Sequence, residues 1–354
     1  MTSPRFGVDS LHDLATSLLA RGGVGTDAAQ LVARSLLAAD RAGIFSHGLL
    51  RLPLYLEVVA AGGIDPTSEP VVVRKFGGVT VLDGRCAFGQ VTMQRAVELA
   101  TESARTHGIA TVAVQGSSHF GAGQFWTSQL AQQGIAGILS STTGPVAAPF
   151  GGSQPVLGTN PLTLSLPSAG EGPLVADLAT TAGAYGKIVA ARNDGTEIPD
   201  GWGVDAAGTP TTDPGAVLDG GALLPFGGHK GSGIAVLLEG LSAALTSASF
   251  AVNTVDIWQD QSSRMNTGHL LIALDLAAFG DVDEIRAKVA QLQEEVRSSA
   301  PDGSVHSPGD LEHAHLTANA DAVDLSESTV ESLRALAALH DIPFPTPLTE
   351  GSSR

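Results

Sequence analysis

The chain has 354 residues, 43% hydrophobic and 16% charged, enough for a large core in one or two domains and unlike a disordered or coiled-coil composition. Asp and Glu outnumber Lys and Arg by 36 to 19, a formal charge of −17 with no basic stripe, which excludes nucleic acid and an anionic membrane as expected partners. Cys86 is the only cysteine, so intrachain disulfides and cysteine-based metal sites are excluded and a cytoplasmic chain is expected.

Behind the N-terminus there is no apolar run, and no segment reaches the roughly 20 apolar residues of a membrane span. Leu11, Leu14, Ala15, Leu18 and Leu19 repeat at helical spacing until Gly22-Gly23 stops them. Thr26-Asp27 caps a second helix through Leu31, Val32 and Leu36 toward Asp40. A third helix is predicted from Ser46-His47 to Gly62-Gly63, placing His47 and Arg51 four residues apart on one face. Strands are expected at 71–73 and 79–82, a helix at 92–106, and a buried strand at 109–114 that delivers Ser117-Ser118-His119. Further strands are expected at 137–141, 162–166 and 174–177, and the alternation argues for an α/β fold. Residues 194–228, rich in Gly, Pro, Asp and Thr, read as a long ordered loop. A helix at 229–245, a strand at 268–276 and an amphipathic helix at 283–298 follow. Ser328-Thr329-Val330-Glu331 reads as the capping box of the last helix, with a loose tail beyond Pro345.

The chemistry concentrates at His47, Arg51 and His119. An arginine fork holds a small carboxylate through two hydrogen bonds, and a histidine beside it moves a proton near neutral pH. Reduction of a 2-oxo acid, or oxidation of a 2-hydroxy acid, needs both. Gly121-Ala122-Gly123 lacks the third glycine of a dinucleotide fingerprint and is followed by Phe125-Trp126, so spacing alone leaves the cofactor open.

Ten segments recur in a fixed order between Asp40 and Gly309. They are Asp40-Arg41-Ala42-Gly43 leading into Ser46-His47-Gly48 and Arg51; Ser118-His119-Phe120-Gly121; Pro149-Phe150-Gly151-Gly152; Gly158-Thr159-Asn160-Pro161; Asp177-Leu178-Ala179-Thr180-Thr181; Gly186-Lys187; Ile198-Pro199-Asp200-Gly201-Trp202; Pro210-Thr211-Thr212-Asp213-Pro214; Lys230-Gly231-Ser232-Gly233; and Pro308-Gly309. As an ordered set they resemble the malate/L-lactate dehydrogenase-like oxidoreductases. That family also holds ureidoglycolate dehydrogenase, sulfolactate dehydrogenase and piperideine-2-carboxylate reductase, and 199–214 is most similar to the ureidoglycolate branch.

The resemblance implies an α/β fold of its own, the malate/L-lactate/sulfolactate dehydrogenase-like fold. A non-Rossmann nicotinamide-binding domain (116–299) would sit beside a discontinuous substrate and dimerisation domain (1–115 and 300–345), with 346–354 a loose tail. It implies NAD or NADP, a small carboxylate substrate, a homodimer and no metal. The absence of an arginine cluster for a 2′-phosphate leans toward NAD. By the resemblance, His119 is the proton donor and acceptor, Arg51 grips the substrate carboxylate, and His47 polarises it or the reacting oxygen. Ser46 either touches substrate or caps the helix, and Thr159 lies near substrate. Thr143 contacts the nicotinamide; Asp177, Leu178, Ala179 and Lys230 contact the cofactor; Pro308 and Gly309 form a late loop closing on it. Plainer readings stand beside these: a turn residue for Thr143, a strand-end carboxylate for Asp177, a solvated lysine for Lys230.

Three positions depart from the family's pattern: Phe45 where a polar residue is common, Ser232 where Tyr is common, and Asp310 where Glu or Gln is usual. His306, His313 and His315 read as a solvated loop, not a metal site. The expected activity is hydride transfer between a nicotinamide cofactor and a small 2-oxo or 2-hydroxy acid of the malate, lactate or ureidoglycolate kind. The alternatives are reduction of a cyclic imine carboxylate and a catalytically silent binding protein.

Overall fold

A computed structural model describes residues 3–348. The chain opens with β1 (Arg5–Gly7), α1 (Val8–Arg21) and α2 (Thr26–Arg41), then two 3-10 turns and α3 (Leu52–Ala61). A hairpin of β2 (Val71–Phe76) and β3 (Val79–Asp83) leads through α4 (Gly89–His107) to β4 (Ile109–Ser117), α5 (Gly123–Gln132) and β5 (Ile135–Ser141). Next come β6 (Leu162–Leu166), β7 (Leu174–Leu178), α6 (Tyr185–Asp194), β8 (Gly203–Val204), β9 (Pro210–Thr211), α7 (Pro214–Leu218) and β10 (Ala222–Leu223). The chain continues with α8 (His229–Glu239), β11 (Thr267–Asp275), α9 (Val282–Arg297), α10 (Asp310–Ala318), β12 (Ala322–Asp324) and α11 (Glu327–Leu339).

A mixed seven-stranded sheet in the order β2-β3-β4-β11-β5-β6-β7 forms the centre. Only β3 and β4 pair in parallel; the other neighbours are antiparallel. β11 lies between β4 and β5, and its run His269-Leu270-Leu271-Ile272-Ala273 carries the continuous apolar character of a strand covered on both faces. Met93, Ala96, Val97, Ala100 and Ala104 of α4 pack on Val112, Val114, Leu139 and Leu271 of that sheet. This α/β arrangement is the fold class expected of the sequence.

A second core is helical. Leu11, Leu14, Leu18, Leu36, Leu52 and Tyr55 pack with Val323, Leu325, Val330 and Leu333 from the other end of the chain. The two ends also pair directly: β1 runs antiparallel to β12, with Phe6 opposite Val323.

The structure corrects several local expectations. Residues 194–228 are not an open loop: β8, β9 and β10 form a three-stranded sheet over a small core of Ile188, Val217, Leu223 and Ala235. The last helix is capped two residues before the expected box, where Ser326 Oγ accepts the Thr329 N–H (3.2 Å). The helix at 229–245 is α8 followed by a π-turn at Gly240–Ala244. His313 and His315 lie on α10, which, like α6, the periodicity did not suggest. Residues 346–348 have no regular structure, yet the Leu348 N–H donates to the Arg5 carbonyl (2.8 Å); 349–354 of the expected tail lie outside the described residues. No helix among the described residues is long and apolar enough to cross a membrane.

Candidate active site

His47 and Arg51 do not begin an α-helix. They close two successive 3-10 turns, Phe45–His47 and Leu49–Arg51, broken at Gly48. The cause is Asp40, at the end of α2. Its Oδ2 accepts the Leu49 N–H (2.8 Å), and a Cβ on Gly48 would lie 1.8 Å from Oδ1, so no other residue fits there. Burial pushes the Asp40 carboxyl up to about 7, and the Leu49 N–H pulls it back.

Ser46 caps none of these turns. Its hydroxyl shares a hydrogen bond with His47 Nδ1 (2.8 Å), and its carbonyl accepts Arg51 Nε (2.7 Å). The Arg51 guanidinium lies over the Trp258 ring, 4.8 Å from its centre. Arg51 makes no ion pair with any carboxylate among the described residues, and its guanidinium donates from Nε to the Ser46 carbonyl.

β4 carries His119 into the same place. The His47 and His119 rings stack at 5.5 Å, and Trp258 meets His119 edge-on at 5.3 Å. Tyr55 of α3 places its hydroxyl 2.6 Å from His119 Nδ1 while accepting Gln90 Nε2 (3.1 Å). Burial holds the His119 pKa well below the ordinary imidazole range, helped by the charges of His47, Arg51 and His269. Burial, then Arg51, lowers His47 to about 4. Both rings are therefore neutral near pH 7, and Arg51 carries the positive charge. Tyr55, Gln90 and Trp258 were not singled out in the sequence. Tyr55 had a signal, one helical turn beyond Arg51; Trp258, in an aperiodic loop, had none.

The remaining candidates fall on three neighbouring features. Thr143, just past β5, accepts the Thr159 N–H at its hydroxyl (2.9 Å), and a Cβ on Gly158 would lie 2.2 Å from that oxygen. Asp177, next to last in β7, has its carboxylate engaged inside the fold, accepting Thr163 Oγ1 (2.7 Å) and the Gln124 N–H at the start of α5 (2.9 Å). Burial raises its pKa against those two donors. Leu178 beyond it is exposed and Ala179 half-buried. Pro308 and Gly309 pack on the opposite end of β7, where the Val175 N–H donates to the Pro308 carbonyl (3.3 Å).

Lys230 is exposed in the first turn of α8, whose N-cap, Gly228, offers no capping side chain. Ser232, two residues on, accepts the Phe150 N–H (2.9 Å). A cavity of about 190 Å³ opens beside Gly309, lined by Pro173, Arg297, Asp310 and His313. Its one arginine is held by both Asp310 oxygens (2.9 and 2.7 Å). His315 packs against Gly43 instead of standing free in a loop.

The family model described as malate/L-lactate dehydrogenase matches residues 6–334. A (2R)-3-sulfolactate dehydrogenase (NADP(+)) of Chromohalobacter salexigens is 35% identical over 92% of this chain and 95% of its own. A Delta(1)-pyrroline-2-carboxylate/Delta(1)-piperideine-2-carboxylate reductase of Pseudomonas syringae pv. tomato is 35% identical over 92% and 94%. The solved sulfolactate dehydrogenase of Methanocaldococcus jannaschii superposes with a TM-score of 0.89 at 30% identity, covering 96% of this chain and 98% of that one.

Proposed function

This chain belongs to the malate/L-lactate dehydrogenase family, a family of NAD(P)-dependent dehydrogenases and reductases, and from that premise we propose that it interconverts a small 2-oxo acid and its 2-hydroxy acid. The observation that carries the reading is the convergence of Arg51 and His119 on Trp258, with His47 stacked on His119 and Arg51 in no ion pair among the described residues.

Arg51 takes the substrate carboxylate in its fork, which fixes carbon 2 in front of His119. His47, stacked on His119, stands beside it to polarise the substrate carboxylate or the reacting oxygen. In the oxidation direction the neutral His119 ring accepts the hydroxyl proton at Nε2, which calls for the tautomer whose Nδ1–H donates to the Tyr55 oxygen 2.6 Å away. In reduction the proton returns by the same atom to the carbonyl oxygen.

The start of α8 fits a dinucleotide diphosphate. Its first turn has no capping side chain, Lys230 stands on it, and the space around Gly233 is open. When bound, the cofactor gives a hydride to carbon 2 or receives one from it. NAD is the proposed cofactor, because the sequence holds no arginine cluster for a 2′-phosphate and Arg297, beside Gly309, is paired with Asp310. A homodimer is part of the proposal, supported by exposed Val236, Leu237, Leu241 and Leu245 along α8 and its π-turn. Sedimentation velocity tests it.

Reduction of a cyclic imine carboxylate uses the same anchors. A carboxylate beside the site, Asp256, favours it as the other reading, since an iminium is cationic. The test is oxidation of NADH and of NADPH by the purified protein with pyruvate, oxaloacetate, oxalurate and piperideine-2-carboxylate. Turnover of pyruvate, oxaloacetate or oxalurate that falls at least about 100-fold in His119→Ala supports the reading, and turnover of piperideine-2-carboxylate alone supports imine reduction. Silence on all four overturns it.

A further inference from the structure

The pocket contains a carboxylate that the proposed proton transfer leaves unused. Asp256 lies half-buried in the loop ahead of β11, two residues before Trp258. The loop is built around it: Oδ1 accepts the Trp258 N–H (3.2 Å), and its carbonyl accepts the Gln259 and Asp260 N–H groups (2.9 and 3.0 Å). Upstream, the buried Glu239 carboxylate anchors the same segment by accepting the Ala251 N–H (2.6 Å). Asp256 Oδ2 stands against Gly144, where a Cβ would lie 2.9 Å away, so the carboxylate abuts the turn that holds Thr143.

Arg51 and Tyr185 share this space with Asp256. Burial raises the Asp256 pKa, while the Trp258 and Ile257 N–H groups and the Arg51 charge favour its ionised form. Asp256 in turn helps keep the desolvated Arg51 protonated. The two form no ion pair among the described residues, and no side chain among them donates to the Asp256 carboxylate. With His47 and His119 neutral near pH 7, Arg51 carries the positive charge here and Asp256 supplies the carboxylate.

A substrate carboxylate on Arg51 uses up the positive charge. A second anionic group would then meet Asp256 in a partly dehydrated space with nothing to offset it. An N–H donor or a cation in that position would be matched instead.

We propose that Asp256 sets substrate choice: the site takes a 2-oxo acid, or its 2-hydroxy or 2-imino counterpart, with one carboxylate and a remote end bearing N–H donors or a positive charge, and turns away acids carrying a second carboxylate or a sulfonate. This rests on the reaction proposed above, in which one hydride and one proton add across the C=O or C=N bond of carbon 2.

The test compares oxaloacetate with its 4-amide, 2-oxosuccinamate, which has the same shape and one charge fewer. Pyruvate serves as the reference acceptor, and the assays use the wild-type protein and Asp256→Asn. Wild-type kcat/KM favours the amide by at least about tenfold, and in Asp256→Asn the ratio shrinks to about threefold or less, chiefly through a lower KM for oxaloacetate. Equal or better use of oxaloacetate by the wild type overturns the proposal, as does reduction of pyruvate with neither of the pair accepted. A preference for the amide that persists in Asp256→Asn overturns the assignment to this residue. If none of the three acids is reduced with either cofactor, the proposal falls, and turnover of oxalurate or piperideine-2-carboxylate then decides whether the reaction falls with it.

Discussion

The Tyr55 hydroxyl lies 2.6 Å from His119 Nδ1 and at the same time accepts Gln90 Nε2 at 3.1 Å. Gln90 fixes the tyrosine, and the tyrosine fixes the ring. Tyr55→Phe lowers kcat about tenfold, the equivalent of one net hydrogen bond, with KM changed little. Steady-state kinetics beside cofactor titration checks this; an unchanged kcat would show that Tyr55 does not position His119.

Arg51→Lys raises KM for the acid roughly 10- to 100-fold and moves kcat by much less, because a lysine offers a point charge where the guanidinium offers a fork. The Nε bond to the Ser46 carbonyl is lost as well. An unchanged KM would show that the carboxylate binds elsewhere.

His119 acts as a base only when unprotonated, and its pKa lies well below the ordinary 6.5. A lowered pKa preserves the free base to lower pH. The acid limb of kcat/KM for 2-hydroxy acid oxidation therefore falls below pH 6.5, and the profile is flat across neutrality. A limb centred at or above that value, in the free enzyme, contradicts the buried geometry.

Asp40 carries an opposite dependence in stability. Its folded pKa of about 7 exceeds the 3.8 of an unperturbed carboxyl. Its contribution is thus fully present below 3.8 and lost as pH rises through 7. In Asp40→Asn the amide oxygen still accepts the Leu49 N–H and the titration is gone. The Tm of the variant relative to wild type consequently rises by about 3 °C or more between about pH 4 and about pH 8. A constant difference across that range would mean Asp40 stays charged in the folded protein.

The regular parts of this architecture are written locally. The helical repeat of Leu11 to Leu19 and the apolar run before Ser117-Ser118-His119 each state their element, because burial on one face or both selects residues at the element's own period. The turn at His47 is different. The spacing there is compatible with an α-helix, and it is the Asp40 carboxylate, packed against Gly48 from the preceding helix, that breaks it. Strands of two residues such as β8, β9 and β10 are too short to show a period. Ser326 and Ser328 are equally good caps by type; the end of β12 at Asp324 decides between them. At the site, His47, Arg51 and His119 announced themselves by chemistry. Trp258 and Asp256 reach the pocket along an irregular loop, so only the folded chain shows what they face.

The pairing of β1 with β12 imposes a schedule on synthesis. The leucines of the first two helices leave the ribosome early, yet Val323, Leu325, Val330 and Leu333, against which they pack, are made last. Between those moments the half of the molecule holding Arg51 has oily surface and no lid, while the central sheet already has all its strands. A nascent chain stalled short of residue 322 should thus be a client for chaperones, and loss of the final helix should be felt as aggregation during translation before it is felt as lost catalysis.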